Sequence, residues 1–221
     1  MMNTVILVPQ GAEYKAVCRG LRQNTESTPR VLAIPVGMQS FTKYLQQWDK
    51  QQSPAKVVVM GLCGSLSQNY AVGDVVLYQS CTYQGQVQEC DRTFMTQLSS
   101  LPPKVSLVKG LTSDRVIWSA TEKSCLGKTS NCDVVDMESF AALKFFQPMG
   151  VEVAVLRVVS DDCQHDIPDL TAAISADGSL QTLPLAWGLI SQPIAATRLI
   201  RGSLQGLRVL ERVTQALFCQ G

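Results

Sequence analysis

Three polar residues, Ser160, Asp161 and Asp162, end the apolar run VEVAVLRVVSDD (151–162), and that abrupt change of character is where chemistry is to be sought. A carboxylate at the rim of an apolar core can have its pKa raised by desolvation until it holds a proton near neutrality, which makes Asp161 a candidate general acid. The competing reading is a helix N-cap or a solvated turn aspartate. The run itself reads as a buried strand. Val153, Val155, Val158 and Val159 are β-branched, and apolar residues on both parities mean that both sheet faces are covered, as in a parallel α/β sheet. Ligands of such sheets bind beyond the carboxyl ends of the strands, which is where the three polar groups fall.

Two further junctions accompany it. In KVVVMGLCGSL (56–66) four apolar residues run into Gly61 and Gly64, followed by the short strand GDVVLY (73–78). Glycine there lets the backbone turn tightly and leaves N–H groups facing a ligand. The pattern matches neither G-x-G-x-x-G nor G-x-x-x-x-G-K-[ST], so dinucleotide and P-loop readings lose their main support. In DVVDMESFAALKFF (133–146) Met137 and Glu138 stand where a strand gives way to a helix, so Glu138 is a helix-entry carboxylate near the same sheet edge. A first-turn Glu favoured by the helix dipole is the alternative.

Taken in this order, these segments resemble the nucleoside phosphorylase and nucleosidase superfamily. The likeness covers most of the chain: VILVPQGAEYKAV, VVVMGLCGSLSQNYAVGDVVL, GLTSDRVIWSATEKSCL, VVDMESFAAL and LRVVSDD. G-x-C-G-S-L with a following G-D-V-V, a later M-E and then V-S-D is specific as a set. Within the superfamily, DRVIWSATEK and the tail IPDLTAAISADGSL look most like the bacterial branch of hopanoid-associated phosphorylases.

The resemblance implies cleavage of the bond between a ribose anomeric carbon and a purine nitrogen, with adenine the expected base. That reaction passes through an oxocarbenium-like sugar, so the departing base must be neutralised and a developing positive charge steadied. By analogy Asp161 assists departure at purine N7, and Ser160 holds its carboxyl. Glu138 accepts hydrogen bonds from ribose hydroxyls, and Met137 packs beneath the sugar. A glutamate near the position of Glu13 helps activate water in the nucleosidase branch, with a first-turn helix Glu as the competing reading. The purine is expected against Arg115, Val116 and Ile117, with Leu62, Cys63 and Gly64 on another side. The resemblance implies no resident cofactor, and phosphate enters as a possible co-substrate. A homo-oligomer is expected by the same analogy. The competing class is a non-catalytic purine-nucleoside-binding module, which does not need a protonatable group at N7. An α/β amidase or esterase lacks its G-x-S-x-G elbow here.

One departure bears on the acceptor. Many phosphorolytic members carry an arginine just before the glycines, where this chain has Val59 and Met60. Arg22, Arg30, Arg92 and Arg115 could substitute after folding or be ordinary solvated cations, the commoner fate of a surface arginine, so phosphate and water both stay open. Cys63 could be a nucleophile only with a partner such as His165, the sole histidine. The resemblance makes it a residue lining the base site instead.

Composition sets limits. With 221 residues, 46% hydrophobic and 17% charged, the chain reads as one domain with one sizeable core. A net charge of +1 and no Lys/Arg run give no electrostatic footprint for nucleic acid. No charged n-region with an apolar h-region opens the sequence. Eight cysteines without C-x-x-C spacing read as reduced, mostly buried thiols of a cytoplasmic protein, and with one histidine a metal site has little support.

Strands are expected at 4–9, 31–36, 56–60, 73–80, 104–110, 132–136 and 152–159, and helices near 12–23, 39–51, 90–99, 119–127 and 138–149. The alternation predicts an α/β fold of three layers, α/β/α, with a mixed central sheet. Pro102-Pro103 marks a loop, and Asp177-Gly178 a turn before a C-terminal helical extension at about 180–221. There Ile200, Leu204, Leu207, Leu210, Val213 and Leu217 make one face of an amphipathic helix. Pro184 and Pro193 break the apolar stretch upstream, which argues against a transmembrane helix. By default this helix packs on the domain; the hopanoid likeness suggests instead that the extension forms an apolar lid or a membrane-facing groove for a lipid-linked adenosine, with membrane contact through it.

Overall fold

The computed structural model describes residues 4–22, 29–49, 53–100, 104–170, 173 and 181–218. The expected loop at Pro102-Pro103 and turn at Asp177-Gly178 lie outside these residues.

Among the described residues eight strands, most of them apolar and β-branched, form one mixed sheet. Strand β1 (Thr4–Pro9) leads through Gly11, at φ 102°, into helix α1 (Ala12–Leu21). Then come β2 (Arg30–Ile34), α2 (Met38–Gln46), β3 (Lys56–Ser65), β4 (Val75–Tyr83) and β5 (Gln86–Glu89). Helix α3 (Arg92–Ser99), β6 (Ser106–Thr112), α4 (Ala120–Ser130), β7 (Val134–Asp136), α5 (Ser139–Phe146) and β8 (Glu152–Asp161) follow. Two helices, α6 (Thr182–Ser191) and α7 (Pro193–Phe218), end the described chain.

Strand β3 organises the sheet. One of its edges carries β8 in parallel over Lys56–Gly64; the other carries β1 over its first half and antiparallel β7 at Gly64 and Ser65. Strand β8 also pairs antiparallel with β4, β4 parallel with β6, and β6 parallel with β7. The pairings β3–β8–β4–β6–β7–β3 therefore close a circuit, with β1–β2 and β5 appended. Helices α1 and α7 pack together, α7 against β8 and β3, while α2 packs on α5, and α5 and α3 cover β8 and β4. The expected α/β class with a mixed central sheet and covering helices is what forms. Val57, Val58, Val59, Val153, Ala154 and Val155 are fully out of water, and each valine so buried contributes about 1.5–3 kcal/mol.

Four expectations change. Strand β3 does not turn at Gly61 but continues to Ser65, because β8 and β7 give its far half ladder partners. Strand β5, a polar QVQE hairpin arm after Gln84 and Gly85 at positive φ, has no apolar alternation to announce it. Helix α5 stops at Phe146 and a single 3-10 turn follows over Gln147–Met149, since Pro148 cannot continue the α ladder. The C-terminal helix buries Leu210, Val213 and Leu217 as expected, whereas Ile200 and Leu204 are about half exposed. In that half of α7 the buried positions are Ala196, Gly202 and Gly206, small enough for the helix to lie directly on β8.

Candidate active site

Glu13, Cys63, Gly64, Val116, Ile117, Met137, Glu138, Ser160 and Asp161 all line one cavity of about 220 Å³ at the carboxyl ends of β1, β3, β7 and β8. Side chains up to 148 positions apart in sequence are brought together because β1, β3 and β8 run parallel and end at one rim, while β7 pairs antiparallel with the end of β3 at Gly64 and Ser65 and brings Met137 and Glu138 there.

Glu13 stands in the first turn of α1, and its Oε1 accepts a 2.6 Å hydrogen bond from the Leu62 N–H of β3. Burial raises its pKa to about 7, opposed by that N–H and by the positive charge of Arg157. Glu138 sits at the entry of α5, where Oε1 accepts from Gly37 N–H at 2.9 Å and Oε2 from Arg157 Nη2 at 3.2 Å. Burial pushes its pKa up, with Arg157 pulling the other way.

Beneath these two carboxylates lies Arg157, fully buried in the middle of β8. Besides Glu138 it donates to Ser139 Oγ at 3.1 Å and to the Leu62 carbonyl at 3.4 Å, and its Nε lies 3.4 Å from Asp136 Oδ2. Its neighbours hold its pKa above the ordinary arginine value, so it stays charged throughout the working range. Asp136 ends β7 and accepts from Thr112 Oγ1 at 3.0 Å and from the N–H groups of Glu138 and Ser139 at 3.2 and 3.1 Å. It thus caps α5 and sets the bend that aims Glu138 into the cavity. The signal for Arg157 was present in the sequence as a lone cation inside an apolar strand, which must have a buried counterion.

At the other wall, Ser160 Oγ lies 2.7 Å from Asp161 Oδ1 and 3.2 Å from the Cys63 carbonyl, sharing its single proton between them. Asp161 Oδ2 is ion-paired with Lys123 Nζ, and Lys123 has no exposed side-chain surface. This corrects the picture of Asp161 as a carboxyl governed by an apolar rim alone: a buried ammonium accompanies it. Lys123 escaped the sequence reading because it looks like an ordinary polar residue of α4.

The glycines of β3 serve space and not a turn. A Cβ on Gly61 would lie 2.5 Å from Arg157 Nη1 and 2.6 Å from Glu13 Oε1, and one on Gly64 would lie 2.8 Å from Asp161 Oδ2. With no side chain at either position, the charged groups can lie directly against the strand.

Of the four arginines weighed as anion ligands, only Arg115 lines the cavity. It is engaged as a two-pronged ion pair with Glu122. Arg30 and Arg92 line other clefts, and Arg22 follows α1. The Cys63–His165 pairing does not form. Cys63 is buried with its thiol pushed well up by burial, the opposite of an activated thiolate, and His165 Nδ1 lies 3.0 Å from Asp162 Oδ2 in an exposed loop. The seven described cysteines carry free thiols.

Solved structures of similar architecture exist. The chain superimposes on futalosine hydrolase of Helicobacter pylori with a TM-score of 0.70 at 13% identity, covering 97% of this chain and 96% of that one. For the MTA/SAH nucleosidase of Streptococcus pneumoniae in complex with 8-aminoadenine, the TM-score is 0.65 at 17% identity, with 97% and 100% covered. For the Helicobacter pylori 5'-methylthioadenosine/S-adenosylhomocysteine nucleosidase bound to butyl-thio-DADMe-Immucillin-A it is 0.67 at 13%, with 98% and 97% covered. At such identities the likeness is one of fold. No curated protein matches the chain. The family model of the phosphorylase superfamily matches residues 31–180, a span holding Cys63, Glu138, Ser160 and Asp161. The chain belongs to the phosphorylase superfamily, as the motifs G-L-C-G-S-L, M-E and V-S-D led one to expect, and with it to enzymes of the nucleoside phosphorylase and nucleosidase type.

Proposed function

We propose that this protein hydrolyses the N-glycosidic bond of a purine nucleoside, adenine being the favoured base. The observation that carries the reading is the convergence of Glu13, Glu138 and Asp161 on one cavity walled by Val116, Ile117 and Met137. Apolar walls with a few fixed polar groups suit a flat heteroaromatic base attached to a sugar. In this reading Asp161 faces the imidazole edge of the purine and Glu138 takes hydrogen bonds from the ribose hydroxyls through its remaining lone pairs. Those contacts strengthen as the sugar ring becomes cationic. Glu13, titrating at about 7, accepts a proton from the attacking water.

Water is preferred to phosphate as acceptor on one observation. Arg115, which lines the cavity, is already committed to Glu122, and Arg157, buried beneath it, to Glu138 and Asp136. A dianion would find no uncommitted fork of donors there among the described residues. The neighbours whose structures contain adenine-like ligands support the choice of base. The test is adenine and hypoxanthine release from a panel of purine ribosides, with and without phosphate. We expect release without phosphate, abolished in Asp161→Asn. Strict dependence on phosphate would reverse the acceptor, and full rate in Asp161→Asn would remove Asp161 from the mechanism.

The natural glycoside is further proposed to carry a lipid or other apolar group. The support is the α6–α7 extension, where Trp187, Ile190 and Ile194 are each more than 70% exposed, next to a helix that lies on Ser160. No helix among the described residues is long and apolar enough to cross a membrane. Cosedimentation with anionic vesicles, compared between the protein and its Trp187→Ser/Ile190→Ser/Ile194→Ser variant, tests this; equal partition would remove the support. A homo-oligomer remains the expectation for completing the cavity's open side, and light scattering of the purified protein decides it.

A further inference from the structure

Lys123 has no part in the reading above, yet it touches the group on which base departure rests. It projects from the first turn of α4 and is wholly shielded from solvent. Its Nζ donates to Asp161 Oδ2 and, at 2.9 Å, to the Asp162 carbonyl. The placement is built from several sides. Ser119 caps α4, Ala120 N–H donates to Asp166 Oδ1 at 2.8 Å, and Ile167 N–H donates to the Trp118 carbonyl at 3.0 Å. These bonds tie the start of α4 to the loop that leaves β8 and so bring the ammonium against Asp161. Gly64 leaves room on the far side of the same oxygen.

A buried lysine–carboxylate pair is a poor device for stability, because taking both charges out of water costs about as much as their attraction returns. Its chemistry is more informative. Both Asp161 oxygens already accept hydrogen bonds, one from Ser160 Oγ and the other from the Lys123 ammonium. The nearest proton inventory is the ammonium itself.

We propose that Lys123 supplies, through Asp161, the proton that departs with the base. The inference rests on the glycosidic-cleavage reading and deepens it. As the glycosidic bond breaks, its electron pair flows into the purine and raises the basicity of N7. A Lys123 Nζ–H bond then breaks as an Asp161 O–H bond forms, and that proton passes on to N7 while Asp161 recovers its negative charge. Meanwhile the attacking water gives one proton to Glu13. After release Glu13 returns that proton to solvent and the neutral Lys123 amine regains one, so charge and protons balance over the cycle. Lys123 is a positioning and proton-supplying residue acting through Asp161, since it does not itself line the cavity.

The test compares wild type, Lys123→Met and Lys123→Arg on adenosine and inosine and on para-nitrophenyl β-D-ribofuranoside, whose leaving group departs without a proton. For Lys123→Met at pH 7.5 we expect kcat on the nucleosides to fall by about 100-fold with KM within about threefold, and kcat on the nitrophenyl riboside to change by less than about threefold. The nucleoside deficit should shrink as the pH is lowered, because Asp161 must then draw its proton from solvent. Lys123→Arg keeps the charge but gives up its proton too reluctantly to serve, so it should stay slow on nucleosides. Equal losses on both substrate classes at every pH, or full rate in Lys123→Arg, would overturn the proposal. A melting temperature for each variant separates misfolding from chemistry, and the arginine variant decides the matter should the methionine one unfold. A wild type that releases base from no nucleoside defeats the functional reading itself, whereas an active wild type with fully active Lys123 variants defeats this inference alone.

Discussion

Arg157 Nη2 lies 3.2 Å from Glu138 Oε2, and neither side chain meets solvent appreciably. The Glu138 carboxylate is therefore held by a cation that does not itself line the cavity. Arg157→Met should leave Glu138 and Asp136 buried without a counterion and destabilise the fold by about 3–5 kcal/mol, read from urea or thermal melts. Arg157→Lys keeps a charge but loses the fork that spans Glu138, Ser139 and Leu62, and should fall between the two.

Glu13 gives a pH signature of known sign. If Glu13 is the base for water it must be ionised, so kcat/KM for base release should rise with pH through a midpoint of about 7, and Glu13→Gln should flatten that limb while lowering the plateau by 100-fold or more, on the order of the usual general-base contribution.

The same group opposes folding at high pH. Its folded pKa of about 7 exceeds the unfolded 4.5, so the folded state binds more protons and stability falls as pH rises from 4.5 to 7, staying low above it. Glu13→Gln should thus match wild type near pH 4 and exceed it at pH 8. The gain is at most about 3 kcal/mol, and smaller to the extent that cleft water solvates the carboxylate. Melting curves at the two pH values check this, and a variant less stable at pH 8 would contradict it.

Glu138→Gln bears on the sugar. If the carboxylate takes ribose hydroxyls, the variant should lose about 100-fold or more on ribosides and less on 2'-deoxyribosides, which offer it fewer donors. A uniform loss across both sugars would point to damage to the Arg157 cluster.

Two glycines make opposite predictions. Gly64→Ala meets the far end of Asp161, a side chain able to move, so the melting temperature should hold, while kcat falls 10- to 100-fold if Asp161 takes part in the chemistry, on the order expected for a displaced catalytic group. Gly202→Ala places a Cβ 2.1 Å from the Ser160 backbone carbonyl, which cannot yield without lifting α7 from β8. It should cost about 1–3 kcal/mol or more in stability.

Much of this architecture was legible in the chain. Runs such as KVVVM and VEVAVLRVV are apolar on both parities, and the side-chain period of a strand leaves them no home except a sheet covered on both faces. Their polar ends then named the rim, which is how Glu138, Ser160 and Asp161 could be read as one site. The same logic failed where a strand's reason is not apolar. Strand β5 is polar, and Gly61 and Gly64 interrupt hydrophobicity without interrupting β3. In α7 the face turned to β8 at Gly202 and Gly206 is chosen by closeness of approach, which a count of leucines and isoleucines cannot register.

Sequence alone determined the alternating strand–helix order, the sheet and the chemical types at its carboxyl edge, because periodicity and residue chemistry act along the chain. Only the tertiary structure decided the charge partners: that Arg157 belongs to Glu138 and Asp136, and that Lys123 belongs to Asp161. Such pairs join residues from separate elements, and electrostatic energy depends on distance and on exclusion of water, neither of which exists until the layers close.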